Sequence, residues 1–337
     1  MDMLHVGLLY TKKECLDEVE GTILDITGQE NETASAIRRA LLKAGHRVTM
    51  IPATLDLLQE ITSIQNLDII FNACTGISNK GQQANVVAML ELLDIPFIGS
   101  SLSTHIMGLH KHISKRLFSC FGIPTPKFQV FHEGNEAFDA SLDFPLIVKP
   151  VHEGSSVGIT QESVVFTQDD LMERVKTILR DYHQPALAEE FITGREFTIG
   201  VMGNEDLEVL PIEEIIYGPL DKYSVMTEEI KIADSVGIIC PADVDEEAAG
   251  RMRDYAKKIY RALECREYAR VDVRMDARGK LYFIDLNTLP GLKPNYSDFP
   301  NVAEKGGYSY DELILRILNL AWARTHKETK GEESATS

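Results

Sequence analysis

The sequence predicts an α/β unit followed by α+β layers. Three observations carry that prediction. Over residues 4–98, short apolar runs alternate with stretches of helical spacing, the pattern of a parallel sheet wrapped by helices. From Phe128 onward the apolar runs crowd together between turns, as antiparallel strands with helices on one face require. At 337 residues, 44% hydrophobic and 26% charged, the chain can bury several cores, and two or three domains are expected.

Leu4–Tyr10 is apolar and short enough for a buried strand. Residues 11–30 are polar and acidic without a period and read as a loop, a candidate cover for a site. Ala34, Ile37, Ala40, Leu41 and Leu42 lie on helical spacing, and Gly45 is a natural stop, so Thr33–Gly45 is a helix. Strand Val48–Ile51, helix Leu55–Ile64, strand Leu67–Asn72, helix Gln83–Leu93 and strand Pro96–Ile98 continue the alternation. Ligands of such sheets collect at the carboxyl ends of strands, here Tyr10 onward and Asn72–Gly76. Ser101–Gly122 reads as one helix with Lys111 in its middle, ended by Gly122-Ile123-Pro124-Thr125-Pro126. Strands Phe128–His132 and Phe144–Pro150 follow, then a Gly/Ser loop over Glu153–Ile159. Helix Asp169–Arg180 and strand Ala186–Ile192 lead to Gly194, which turns the chain into Phe197–Met202, paired with Leu207–Pro211. Ile216–Asp234 has no period, and loops of that length usually serve a site or are disordered. Asp245–Leu263 is a strongly periodic helix. Ala269–Met275 and Tyr282–Leu292, joined by the turn Asp276–Lys280, form a hairpin. A loop over Pro294–Pro300 and an amphipathic helix over Asp311–Trp322 close the ordered chain, and the polar tail 326–337 is expected to be disordered.

Composition removes several function classes. A net charge of −18 argues against nucleic acid or anionic membrane surfaces as partners. Five scattered cysteines without a CxxC pair favour reduced thiols and a cytoplasmic protein. No apolar run approaches the ~20 residues of a membrane span, and Met1–Tyr10 lacks the pattern of a signal peptide. The histidines are dispersed, so no zinc site is marked.

The hairpin holds the strongest chemical signal. Asp285 and Asn287 are two apart and share a face of their strand. A register that sets Asp272 opposite them brings three hard oxygen donors together, which suits Mg²⁺ shared with the phosphates of a nucleotide. The same residues would also suit the polar face of a half-exposed sheet. Arg270 and Arg274 share the face of Asp272, and Arg270 is taken as the functional one. Lys149 ends an apolar strand, where a cation 4 Å from a phosphate charge is worth roughly 4 kcal/mol at an effective dielectric of 20. The loop Glu153–Gly158 can cradle phosphate through backbone N–H groups, or be an ordinary connection. Glu189, Glu190 and Glu196 suit ribose hydroxyls, and Phe191 and Ile192 suit an adenine ring, although an exposed acidic edge would look the same.

Together these stretches resemble the ATP-grasp superfamily and, within it, the D-alanine–D-alanine ligase family. The residues that carry the resemblance are Val148-Lys149-Pro150 with Glu153–Gly158, Gly194-Arg195-Glu196-Phe197-Thr198, Lys222-Tyr223, Cys240-Pro241-Ala242, Arg270–Val273 and Asp285–Gly291. It implies a three-domain ATP-grasp fold, with an N-terminal parallel α/β domain over 1–100 and nucleotide clasped between two α+β layers, 101–192 and 193–325. It implies that ATP phosphorylates a carboxylate and an amine then displaces phosphate. Lys111 and Lys149 would hold the α- and β-phosphates, and Lys222 would close over the γ-phosphate. Ser156, Glu189–Ile192 and Glu196 would serve ATP. Asp272, Asp285 and Asn287 would bind two Mg²⁺, with Mn²⁺ as a substitute. Arg270 and the Gly291 backbone would meet the oxyanion, with Ser155 and Tyr223 at the reacting centre. Ser297, Tyr296 and Lys293 would face the second substrate. Amino-acid substrates, a homodimer and a cytoplasmic location follow from the same resemblance.

The departures concentrate in the amino-acid pocket. Asp285 stands where the family usually has Glu. The family's Gly-Gly-x-Ser-x-Glu segment is missing after Tyr10, and Asn72-Ala73-Cys74-Thr75-Gly76 replaces its His-Gly. The loop after Gly291 is one residue longer. The expected function is therefore a carboxylate–amine ligase of this mechanism, acting on D-alanine or on other amino acids or metabolites. A non-catalytic ATP-binding module is the rival, and it has no need of Arg270.

Overall fold

The computed structural model describes residues 3–11, 26–77, 83–154, 156–217, 223–227, 230 and 236–335, without the side chains of 26–31 and 328–335. Most of the loop expected over residues 11–30 lies outside this description.

The first sheet is parallel. It is built from β1 (His5–Thr11), β2 (Arg47–Ala53) and β3 (Ile69–Ala73) in the order β2-β1-β3, and Phe97 bridges Ile70 at its edge. Alternation in β1 explains its two covered faces. Val6 and Leu8 meet Ile37 and Leu41 of α1 (Ile26–Lys43), whereas Leu9 joins Leu57 and Ile61 of α2 (Leu57–Ser63) and Val86, Val87 and Leu90 of α3 (Gln83–Leu92). Helix α1 begins earlier than the apolar period indicates, because Gln29–Thr33 is polar and offers no pattern.

The helix expected over Ser101–Gly122 is two helices, α4 (Leu102–Leu109) and α5 (Lys111–Cys120). Ser101 caps α4 by accepting from the Thr104 N–H, and His110 breaks the run at φ −84°, ψ 87°. The break frees the Lys111 N–H to donate to the Val151 carbonyl at 3.2 Å. Lys111 thus opens a helix rather than sitting inside one.

The second sheet is antiparallel. Its strands are β4 (Phe128–Phe131), β5 (Leu146–Pro150), β6 (Val164–Val165) and β7 (Ala186–Glu190), ordered β4-β7-β5-β6. One face is covered by Leu171, Val175 and Ile178 of α6 (Gln168–Tyr182).

The third sheet has six strands, β8 (Gly194–Met202), β9 (Glu208–Val209), β10 (Glu213–Ile216), β11 (Gly237–Ile239), β12 (Tyr268–Asp276) and β13 (Leu281–Asn287). The order is β11-β10-β8-β12-β13, with β9 on β8. Phe197, Ile199, Val201, Val271, Val273 and Phe283 face α7 (Glu246–Ala262), leaving the polar face to the site. Phe118 and Ile123 enter this same core, so the chain after residue 101 packs on the third sheet before it builds the second.

Two elements differ from expectation at the carboxyl end. The loop Pro294–Pro300 gives way to α8 (Asp298–Lys305), whose Pro300 stands in the first turn, where a missing N–H costs no helical bond. The last helix, α9 (Tyr310–Ala335), runs past Trp322 through the tail expected to be disordered. Residues 323–335 lack apolar repeats but are rich in Ala, Glu and Lys, good helix formers. Among the described residues no helix is long and apolar enough to cross a membrane.

Candidate active site

The hairpin register sets Asp272 opposite Asp285 and Arg270 opposite Asn287. Between Asp272 and Val273 the pairing shifts, because β13 carries one extra residue, Ile284. The bulge matters for the site. Phe283 is buried under α7, and without the extra residue Asp285 and Asn287 would point to that same side. With it, they turn to the polar face beside Asp272.

Asp272 is the most heavily bonded carboxylate there. Its Oδ1 accepts from Arg270 Nε (3.0 Å) and Thr198 Oγ1 (2.9 Å), and its Oδ2 from Arg270 Nη2 (3.1 Å) and Asn287 Nδ2 (2.9 Å). The other edge of Arg270 donates from Nη1 to Asp298 Oδ2 at 2.8 Å. Burial works against the charge of Arg270, but Asp272 and Asp298 outweigh it and raise its pKa further. Lys111 Nζ stands 3.6 Å from Asp285 Oδ2 and donates to the Glu153 carbonyl at 2.5 Å. A cation is thereby fixed between the hairpin and the start of the Gly/Ser loop.

Two carboxylates and an amide on one face can hold a hard divalent ion. Among the described residues no three His, Cys, Asp or Glu side chains form a self-sufficient metal cage. The donor set therefore fits an ion that completes its shell with phosphate oxygens and water, as Mg²⁺ does.

Lys149 reaches Glu189 Oε1 at 2.5 Å, and Lys115, absent from the sequence-based candidates, reaches Glu189 Oε2 at 2.6 Å. All three side chains are buried. Burial opposes the charge of Glu189, yet the two ammonium groups prevail and hold its carboxyl at about 2. Glu190 turns the other way, toward Lys127 (3.5 Å) and the Asp143 N–H.

Arg274 organises the next segment. It donates to Glu196 Oε2 (2.8 and 2.5 Å), the Ile192 carbonyl (3.0 Å) and the Ser224 carbonyl (3.0 Å), and lies 4.5 Å over the Phe191 ring. Tyr217 also donates to Glu196 Oε2, at 3.0 Å. Beside Phe191 an apolar cluster of Ile147, Val164, Val225, Ile159 and Tyr223 offers surfaces for a flat heteroaromatic ring. Tyr223 belongs to this cluster, 4.9 Å from the Phe166 ring, rather than to the polar row of the hairpin. The Gly/Ser loop is pinned by Arg174 Nη2 on the Gly158 carbonyl (2.7 Å). Ser156 and Gly158 both have positive φ, and a Cβ on Gly158 would lie 2.6 Å from Pro150. Ser155 and Lys222 lie outside the described residues.

The loop after β13 closes the site. A Cβ on Gly291 would meet Ser297 Oγ at 2.7 Å, so a larger residue there would have to displace the Ser297 hydroxyl. Ser297 Oγ accepts from the Lys293 N–H at 3.2 Å. Lys293 Nζ lies 4.9 Å over the Tyr296 ring and 2.7 Å from Glu32 Oε2 of α1. At the carboxyl end of the first sheet, Thr11 Oγ1 contacts Cys74 and Thr75, while Asn72 accepts from the Cys74 N–H and leaves its buried Nδ2 without a partner. His105, which the sequence did not single out, bonds Thr288 Oγ1 at 2.8 Å; burial lowers its pKa to about 4 and keeps it neutral.

On β10, Glu213 is 1% exposed and Oε1 has no hydrogen-bond partner. Burial first, then the nearby charge of Asp298, push its carboxyl up to about 8. Glu213, Thr198, Asp272 and Asp285 occupy one register row across β10, β8, β12 and β13. No motif marks Glu213, because its place in the row depends on pairing.

Comparisons with known proteins agree with this architecture. The family model for the D-ala D-ala ligase C-terminus matches residues 117–319. The protein y4sG of Sinorhizobium fredii, described as uncharacterized, is 34% identical over 304 residues, 88% of this chain and 89% of that one. A D-alanine–D-alanine ligase of Carboxydothermus hydrogenoformans is 33% identical over 298 residues, 86% and 92% of the two chains. The crystal structure of a D-alanine–D-alanine ligase from Bacillus anthracis complexed with ATP has the same fold, with a TM-score of 0.76 at 23% identity over 97% of this chain and 99% of that one.

Proposed function

The chain belongs to the D-alanine–D-alanine ligase family, and from that premise we propose that it is an ATP-grasp ligase joining a carboxylate to an amine. D-alanine is the first candidate for both substrates, by the names of its relatives. The observation that carries the reading is the polar row of the hairpin, where Arg270 is clamped to Asp272 beside Asp285, Asn287 and Lys111. An ATP-binding module has no use for a guanidinium so placed.

In this reading Lys111 and Lys149 draw the triphosphate over the hairpin, and the cluster at Phe191 takes the adenine. The substrate carboxylate attacks the γ-phosphoryl group, and an acyl phosphate forms as ADP leaves. Arg270 and the Gly291 N–H then stabilise the oxyanion that develops when the amine adds. Asp272, Asp285 and Asn287 would hold Mg²⁺, which supplies charge neutralisation on the phosphates. We place the protein in the cytoplasm, and as a homodimer, by family likeness.

Phosphate release from ATP, measured over a panel of amino acids with Mg²⁺, tests the reading. Stimulation by D-alanine, or by another amino acid in the panel, is expected. No stimulation by any carboxylate would sink it.

A further inference from the structure

Three acids suit a ribose by their chemistry, and the fold treats them differently. Glu189 is taken up by two buried lysines, and Glu190 turns toward Lys127. Glu196 receives three donors on a single oxygen. Arg274 Nε at 2.8 Å, Arg274 Nη2 at 2.5 Å and the Tyr217 hydroxyl at 3.0 Å all converge on its Oε2. Among the described residues no side chain donates to Oε1. A carboxylate has about four lone-pair sites, so one oxygen is filled and the other is left for water or for the donor of a ligand.

The pairing of the third sheet produces this arrangement. Arg274 on β12 and Ile215 on β10 flank Glu196 on β8. Tyr217 lies two residues beyond Ile215 and returns to the same face, a placement that no motif marks. Burial first, then the charge of Glu196, raise the pKa of Tyr217 and keep its hydroxyl a donor. Arg274 also lies 4.5 Å over the Phe191 ring, so Glu196 stands one side chain away from the cluster suited to adenine.

We propose that Tyr217 and Arg274 are positioning residues. They hold Glu196 by Oε2 so that Oε1 accepts from a hydroxyl of the nucleotide's sugar, and the site thereby selects ribonucleotides over their deoxy counterparts. The proposal rests on the ligase reading, which already gives Glu196 to ATP, and adds to it the groups that aim the carboxylate. Anchored from both neighbouring strands, that carboxylate cannot turn without breaking bonds. Once Tyr217 is gone, the sugar must itself order the carboxylate, and binding bears that cost.

Calorimetric titration with ADP, 2′-deoxy-ADP and 3′-deoxy-ADP in the presence of Mg²⁺ tests this without turnover. Wild-type protein should bind ADP about tenfold or more tightly than the analogue lacking the bonded hydroxyl, the scale of a hydrogen bond to a charged acceptor. Tyr217→Phe keeps the ring and removes the donor. It should cut that preference about threefold or more, by weakening ADP while the deoxy analogue binds as before. Arg274→Lys keeps the charge, gives up the fork and should cut the preference as well; it carries the test alone should Tyr217→Phe not fold. A purely structural role weakens all three nucleotides together and leaves the preference unmoved, which would overturn the proposal. So would wild-type protein that binds all three equally, or none of them. Failure of the ligase reading is distinguishable, because no amino acid then stimulates phosphate release, whether or not the preference is found.

Discussion

At the scale of single residues, Glu189 shows how burial recasts a side chain. As a sequence feature it is the first of two adjacent acids on a strand, and Glu190 looks equivalent. Pairing on β7 separates them: Glu190 meets the exposed Lys127, while Glu189 meets two buried lysines. Neither lysine can be matched to it from sequence, since Lys115 and Glu189 are on elements that meet only in the fold. Glu189→Gln leaves two buried ammonium groups uncompensated and should cost about 3–5 kcal/mol in denaturant unfolding. A loss below about 1 kcal/mol would mean that water reaches the pair. The pH dependence has a definite sign. Because the folded carboxyl sits at about 2 against an ordinary 4.5, its contribution is whole above pH 4.5 and is lost as pH falls toward 2. The variant should lack that acid limb of the stability curve.

At the scale of elements, the hairpin was legible and its bulge was not. Alternation placed Asp285 and Asn287 together, and the turn Asp276–Lys280 announced the pairing; Asp276 secures it by accepting from the Arg278 and Lys280 N–H groups. The period of two cannot reveal that Ile284 is an extra residue, yet that residue turns the two donors away from buried Phe283. The split between α4 and α5 is hidden in the sequence for a similar reason, since His110 is neither glycine nor proline and leaves the apolar spacing unbroken. Strand β8 supports the hairpin through Thr198, whose hydroxyl donates to Asp272 Oδ1 at 2.9 Å. Partners one step removed from a metal commonly change affinity by 10–100-fold when lost. Thr198→Val keeps the shape and removes the donor, so calorimetric titration of the nucleotide-loaded protein should show Mg²⁺ binding weakened about tenfold. Unchanged Mg²⁺ affinity would remove Asp272 from the proposed ligands.

At the scale of the whole molecule, the first and third sheets are joined by a charge that the sequence hides. Glu267 is fully buried where β12 begins. It accepts from the Gly99 N–H at 2.7 Å and from Arg324 Nε at 2.8 Å, and Arg324 Nη2 donates to the Phe97 carbonyl at 2.9 Å. One ion pair thus binds the edge of the first sheet, the third sheet and α9, alongside an apolar core in which Leu8, Ile37, Phe299 and Ile317 meet. Arg324 lies beyond Trp322, where the last apolar period ends, so nothing in the pattern marked it. Arg324→Met should lower stability by about 3–5 kcal/mol at neutral pH, because a buried carboxylate loses its cation. Burial raises the pKa of Glu267 even with Arg324 present, and removing the arginine raises it further. A carboxyl raised in the folded state binds its proton more tightly there than in the unfolded chain, so stability falls as pH rises above the ordinary 4.5. The deficit of the variant should therefore shrink as pH drops toward 5 and widen toward 8, when urea midpoints of the two proteins are compared. A deficit independent of pH would mean that Arg324 acts by packing and by its bond to Phe97, and that Glu267 does not join the two sheets through charge.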